Sequence, residues 1–455
     1  MSVRFQVLEG SIAAENPFPQ FSSSRERCYK LPGKFHGQDA SIPVTDSLLS
    51  MGLLFLGSAG SGKTNTMLSL ASQVLSSLKE DDIAVFFDMK GDYRDIFYAD
   101  GDISLSATND YFVWNLFDEL IPFLEDEYLL DMHIKESCQY LYKGRESSEQ
   151  PYFVNAAREV TEALLRYFLL EAQESGDASR LNNAALKGFI QGLDSSGDDN
   201  YDAYRQVLAM YERFKGTLTY IPPRELNDRS AYGVITEITG MAGDVLAGAF
   251  GASNRTDRYV SAAGFAREGG GRALFLEYDP TLPAAQSYVF RFFVDSLIAN
   301  RGDPALPTGK TYLFLDEFAM LPKLEYLDKA LSHFRSKGVC VIAGLQSTEQ
   351  MNVQYPEATA KLILESFQSV TAFRCESSSI QWFQKMTGSA RVRERTTAPG
   401  GGLEYSRPRD RKCVEDWEMR GGLGNAGTTL RRGIRQTSGP TALPLPVRPE
   451  SNQKV

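Results

Sequence analysis

The chain has 455 residues, 42% of them hydrophobic, with 48 Lys and Arg against 58 Asp and Glu. The formal charge is −10 at pH 7 and the pI is near 5.1. This length gives two to four structural units and a large core. Charged residues at 23% and a slightly negative mean hydropathy exclude a disordered or membrane-embedded chain. Net acidity argues against a uniform nucleic-acid coat, but not against a motor with a small basic channel. Met1 to Gly10 has no apolar signal core, and the most apolar uncharged stretch, Ser47 to Gly62, is too short for a bilayer. No transmembrane segment is therefore expected. The five cysteines are scattered without a CxxC pair, and there are only three histidines. A disulfide framework or metal centre is improbable, and a reducing cytosol is the expected setting.

Residues 1–50 lead into the first predicted strand, Met51–Leu56. Next come Gly57, Ser58, Ala59, Gly60, Ser61, Gly62, Lys63 and Thr64, a complete G-x-x-x-x-G-K-[ST] pattern. The glycines let backbone N–H groups curl around phosphate oxygens. Lys63 supplies a point charge to the β- and γ-phosphates, and Thr64 is placed to ligate Mg²⁺. Asn65–Lys79 is predicted as the helix whose positive end helps hold the anion. Residues Gly57 through Asn65 are the candidate nucleotide contacts.

A second strand, Ala84–Asp88, runs into Met89, Lys90, Gly91 and Asp92, which either line the nucleotide site or form only a charged turn. Residues 116–245 show helical spacing: Phe153, Ala157, Val160 and Leu164 fall on one face. They are predicted as an all-α domain inserted into an α/β core of residues 51–115 and 246–388. The stretch 116–200 holds seventeen acidic and seven basic side chains, whereas 390–455 holds thirteen basic and seven acidic.

Further strands are predicted at Ala273–Tyr278, Thr311–Asp316, Cys340–Gly344 and Val370–Arg374. Near-continuous apolar runs of this kind suit a mainly parallel sheet covered on both faces. Thr311–Asp316 ends on two carboxylates. Asp316 fits the Mg²⁺ shell and Glu317 the activation of water, although a strand-end Asp can also cap a helix. Arg335 precedes the next strand; by spacing alone it reads as a solvated arginine. Gln346 follows that strand, where an amide could bond the γ-phosphate or simply start a turn. Residues 389–455 are rich in Gly and Pro, read as a basic tail of weak order.

The constellation resembles the type IV coupling proteins, hexameric ATPases of conjugation and type IV secretion in the FtsK/HerA branch of RecA-like motors. The resemblance rests on Gly57 to Thr64, Asp88 to Asp92, and Trp114, Asn115, Leu116 and Asp118. Leu315 to Leu321, Phe334 to Gly338 and Ala343 to Ser347 complete it. It covers about residues 40 to 390. It implies a RecA-like P-loop NTPase core with an inserted all-α domain, binding ATP and Mg²⁺. It further implies a homo-hexamer with DNA in a central pore, in which Arg335 enters the neighbour's site and Gln346 senses the γ-phosphate. Lys63, Glu317, Arg335 and Gln346 would then be catalytic, with Thr64 and Asp316 holding the metal. The all-α domain would face a relaxase or other secreted protein, and a channel or membrane-anchor subunit would receive the substrate at the inner face of the cell membrane. Two other readings stand beside this one: a soluble FtsK/HerA-like translocase without a channel, and a nucleotide-controlled docking platform. The chain departs from the family in lacking leading transmembrane helices and in showing no recognisable β-α-β closure after Gly388.

Overall fold

A computed structural model describes residues 4–9, 26–35, 38–109, 111–145, 151–192, 200–252, 259–301, 309–387, 389–397, 403–405, 409–412, 427–431 and 434–438. The Gly400–Gly402 run and the four prolines from Pro440 to Pro449 lie outside these residues. The chain forms two compact units, one of residues 1–102, 270–273 and 308–455, the other of 103–269 and 274–307.

In chain order the strands are β1 (Arg4–Glu9), β2 (Cys28–Phe35), β3 (Gln38–Thr45), β4 (Leu53–Leu56), β5 (Ile83–Asp88) and β6 (Ile103–Leu105). They continue as β7 (Val113–Trp114), β8 (Tyr259–Val260), β9 (Arg272–Glu277), β10 (Thr311–Leu315), β11 (Val339–Leu345) and β12 (Ser369–Ala372). The tail adds β13 (Ser389–Thr397), β14 (Leu403–Tyr405), β15 (Arg409–Lys412), β16 (Gly427–Arg431) and β17 (Ile434–Ser438), strands that its Gly- and Pro-rich composition does not announce.

The first unit is built on a sheet in the order β5-β10-β11-β4-β12-β16-β17. The ladders from β5 to β12 are parallel; β16 and β17 add antiparallel. Every residue of β4, β5, β10, β11 and β12 is buried, so both faces are covered, and all but β12, with its Ser369 and Thr371, read as near-continuous apolar runs. Phe86 of β5 pairs in register with Phe314 of β10, ring centroids 4.8 Å apart, a contact worth about 1 kcal/mol beyond its buried area. β2 and β3 form a hairpin, and β1 pairs with β13.

The second unit is mainly helical, with long helices at Glu127–Leu141, Pro151–Ser175, Arg224–Val245 and Pro283–Asn300, and two short parallel pairs, β6 with β9 and β7 with β8. The helix Pro151–Ser175 buries Ala157, Val160 and Leu164, three of the four residues of the predicted stripe. A Cβ at Gly233 would sit 2.7 Å from the Phe153 ring, so glycine lets two helices close on each other. Trp114 and Asn115 serve this packing. The Asn183 amide donates to the Trp114 and Phe250 carbonyls, and the Asn115 amide donates to that of Leu181. Buried Glu119 accepts from the Trp114 indole and from the Ala262 and Ala263 N–H groups, and burial pushes its carboxyl up to about 7. Among the described residues, no helix is long and apolar enough to cross a membrane.

Candidate functional site

The site lies at the C-terminal edge of the parallel strands. β4 ends at Leu56, and the loop turns into the helix Lys63–Leu75 through Gly60 (φ 71°) and Gly62 (φ 95°), both left-handed as only glycine readily allows. The helix starts at Lys63, two residues before its predicted Asn65. The loop is anchored on neighbouring strands: Gly57 N–H donates to the Leu345 carbonyl at 2.9 Å and Ser58 N–H to that of Arg374 at 2.8 Å. A Cβ at Gly57 would lie 2.5 Å from Ser61 Oγ and 2.7 Å from Phe373 Cβ, so the anchor requires glycine there.

Two features of this loop fit an anion. No side chain caps the helix start, leaving its first-turn N–H groups to an external acceptor. The Ser61 hydroxyl is buried with no hydrogen-bond partner. Ser58, Ala59 and Gly60 line the loop's outer course, Thr64 is half-buried and Asn65 exposed, while Lys63 is only 5% exposed. A Cβ at Gly344 would come 2.7 Å from Asp316 Oδ1 and 3.3 Å from Lys63 Cε. Gly344 therefore lets Lys63 and Asp316 converge over β11, a role that no spacing rule identifies.

Asp316 and Glu317 follow β10. Asp316 is 6% exposed; its Oδ1 accepts the Glu317 N–H at 3.1 Å and its Oδ2 accepts the Tyr93 hydroxyl at 3.3 Å. Tyr93 is held by stacking on Phe86, with centroids 5.2 Å apart. Glu317 takes left-handed backbone angles (φ 57°, ψ 44°), the one non-glycine with positive φ among the described residues, at a cost of about 1 kcal/mol. That turn presents its carboxylate to both flanking strand ends. Gln346 Nε2 donates to Oε2 at 2.8 Å and Lys90 Nζ lies 3.5 Å from Oε1.

Two open readings separate here. Asp88 turns inward and caps the helix Asp92–Phe97, accepting the Tyr93 and Arg94 N–H groups at 3.1 and 2.9 Å. Burial raises its carboxyl despite those bonds. Lys90 points the other way, to Glu317. For Gln346, the turn is started by its neighbours: Ser347 and Gln350 form a capping box, leaving the Gln346 side chain to Glu317.

Lys63, Thr64, Asp316, Glu317 and Gln346 thus meet at one edge. Arg335 does not join them. It lies in the turn Phe334–Lys337 before β11, at the opposite edge of the sheet, exposed and in no ion pair among the described residues. The seven residues of β11 separate the two edges by about 23 Å at 3.3 Å per residue. Tyr93 and Gly344 are the members of the site to which the sequence assigned no role; Lys90, left open there, reaches Glu317.

Two family models match the chain. One, described as the type IV secretion-system coupling protein DNA-binding domain, matches residues 38–197. The other, described as the TraM recognition site of TraD and TraG, matches residues 310–416. None of the curated proteins matches by sequence. Among solved structures, the unbound bacterial conjugative coupling protein TrwBdeltaN70 is similar at 20% identity and TM-score 0.64, over 90% of this chain and 88% of that one. Plasmid coupling protein TrwB in complex with ADP and Mg²⁺ is similar at 19% identity and TM-score 0.61, over 91% of this chain and 89% of that one. TrwB with a non-hydrolysable ATP analogue gives 20% and 0.60, over 90% and 88%. The fold is that of a RecA-like P-loop NTPase. With one family model on the phosphate loop and the other on the Asp316–Glu317 strand, the chain belongs to the type IV coupling protein family.

Proposed function

We propose that this protein is an ATP-hydrolysing motor that recruits DNA or nucleoprotein and moves it toward a type IV secretion channel. The observation that carries the reading is the meeting of Lys63, Asp316, Glu317 and Gln346 beside an uncapped helix start and an orphaned Ser61 hydroxyl. ATP is the nucleotide of this reading; TrwB has been solved with ADP and Mg²⁺ and with an ATP analogue, and also with a GTP analogue. Gly57 to Asn65 hold the phosphates; Thr64 and Asp316 hold the Mg²⁺, which supplies Lewis-acid charge neutralisation when bound. Glu317 accepts the proton of the attacking water, and Gln346 reads the γ-phosphate.

Arg335 lies too far from its own phosphate loop to serve it, which supports a homo-hexameric ring in which it completes the neighbour's site. DNA passes the central pore. The acidic helical segment 116–245 acts as an inserted domain and docks a relaxase or another basic protein surface. The motor works on the cytoplasmic side, where a channel or membrane-anchor subunit receives its substrate.

The test is ATPase activity measured together with assembly mass, with and without DNA. DNA-stimulated hydrolysis by a hexamer, abolished in Lys63→Ala, is expected. A hexamer whose rate ignores DNA of every length and type would sink the motor reading. Displacement of a roadblock on naked DNA without other proteins would favour the soluble translocase instead.

A further inference from the structure

The turn Asp88–Asp92 touches neither phosphate nor metal in the reading above, yet it sets the place of Tyr93. Asp88 Oδ2 accepts the Tyr93 and Arg94 N–H groups at 3.1 and 2.9 Å, and Gly91 takes φ 78° to complete the bend. The Tyr93 ring then lies on Phe86, with centroids 5.2 Å apart, and Phe86 stacks in turn on Phe314 of the strand that leads to Asp316. Backbone and ring are thus both fixed. The residue is 2% exposed, and its hydroxyl donates to Asp316 Oδ2 at 3.3 Å.

The two oxygens of Asp316 face different neighbours. Oδ1 lies on the Lys63 side: a Cβ at Gly344 would come within 2.7 Å of Oδ1 and 3.3 Å of Lys63 Cε. Oδ2 lies on the Tyr93 side, and among the described residues Tyr93 is its one donor. Asp316 is only 6% exposed, so water has little access to replace that donor.

We infer that Tyr93 is a positioning residue for the metal carboxylate, holding Oδ2 so that Oδ1 stays turned toward Lys63 and the phosphate loop. The inference rests on Asp316 being a Mg²⁺ group, as proposed above. A hydrogen bond to one oxygen of a ligating carboxylate fixes its rotation, so less ordering remains when the ion binds. A purely structural hydroxyl predicts something else. If it only satisfies a buried polar group, its removal lowers stability and leaves the response to Mg²⁺ intact.

The experiment is binding of a non-hydrolysable ATP analogue to the full chain, measured in EDTA and in excess Mg²⁺. Wild type, Tyr93→Phe, Asp316→Asn and the double variant are compared, each with its melting temperature. Tyr93→Phe keeps the stacked ring and removes only the hydroxyl. Its affinity in EDTA should equal that of wild type, whereas the gain in affinity on adding Mg²⁺ should shrink by about tenfold, the low end for a group behind a metal ligand because the bond is long. The double variant should gain no less than Asp316→Asn alone, since the hydroxyl acts through that carboxylate. A Tyr93→Phe chain that melts earlier but keeps the wild-type gain has lost a structural bond only, and overturns the inference. So does an added loss in the double variant. If wild type gains nothing from Mg²⁺, or Asp316→Asn keeps the full gain, the metal role proposed for Asp316 fails. A wild type that gains, an Asp316→Asn that does not and a Tyr93→Phe equal to wild type remove Tyr93 alone.

Discussion

At the N-terminal edge of the parallel sheet, buried charge is closed on itself. Arg27 bonds Asp46 at 2.8 Å, Asp82 at 2.7 Å and the Ser77 carbonyl at 2.6 Å. Asp46 also accepts the Tyr29 and Tyr312 hydroxyls at 2.9 and 3.1 Å, and Asp82 accepts the Lys79 and Lys310 N–H groups. The C-terminal edge handles charge differently. Its helix start is uncapped, the Ser61 hydroxyl is orphaned, and Glu317 sits in a strained turn with exchangeable partners. The same strands therefore carry a locked edge and an open one. The locked edge ties the β2–β3 hairpin to the core, and the open edge holds groups whose partners are still to come. Charges whose partners all come from the chain fix a structure; an orphaned hydroxyl alone does not separate the edges, since Ser369 Oγ at the start of β12 is also buried without a hydrogen-bond partner.

Four substitutions or conditions test this division. The largest expected effect is that of Arg335→Ala, the exception at the locked edge. Stimulated kcat should fall by about 10³–10⁵ if the arginine completes a neighbour's site, with nucleotide affinity of the isolated chain unchanged. Mixing the inactive chain with Lys63→Ala chains should restore part of the rate, because each supplies what the other lacks. A drop below about tenfold would return Arg335 to the role of a solvated surface cation. Next, Glu317→Gln should lower kcat by about 10²–10⁴ while the protein melts no earlier, since the change leaves the left-handed turn to a neutral residue of the same shape. Third, Arg27→Met should leave Asp82 without its cation and Asp46 with Lys310 alone, lowering unfolding free energy by about 3 kcal/mol in denaturant titration with the rate per folded molecule unchanged. A loss of rate exceeding the loss of folded protein would mean that the two edges are coupled.

The smallest effect is the acid response of Asp46. Burial alone would raise its carboxyl, but the Arg27 hydrogen bond, Lys310 and the Tyr29 hydroxyl outweigh it and hold the group below 3.8. A carboxyl depressed in the folded state contributes stability above its unfolded value and loses it as pH falls through the folded one. Asp46→Asn should therefore be less stable than wild type near neutrality, and the two acid-unfolding curves should converge below about pH 3.8. Parallel curves down to strong acid would show that the network draws nothing from this ionisation.

Much of the fold was legible because apolar strand runs and the phosphate loop are local signals. All six predicted strands are present within a few residues, and the mainly apolar β4, β5, β10 and β11 announce a sheet covered on both faces. The N-terminal hairpin was not legible, since β2 contains Pro32 and Gly33, residues that normally argue against a strand. Nor were the tail strands: β13 and β16 pair with the distant β1 and β12, and β14, β15 and β17 pair only onto those two.

Within the candidate site, the expected roles of Lys63, Thr64, Asp316 and Glu317 came from local signals, a phosphate loop and a strand followed by two carboxylates. It left Asp88, Lys90 and Gln346 ambiguous. Strand order resolved them: β10 lies between β5 and β11, so the turns that follow these two strands flank Glu317 from opposite sides. Asp88 then serves the helix behind it, while Lys90 and Gln346 face the Glu317 carboxylate. The same order carries Arg335 to the far edge. Residue identity sets what each group can do, but only the hydrogen-bonded ladder of a parallel sheet decides which distant strand ends become neighbours.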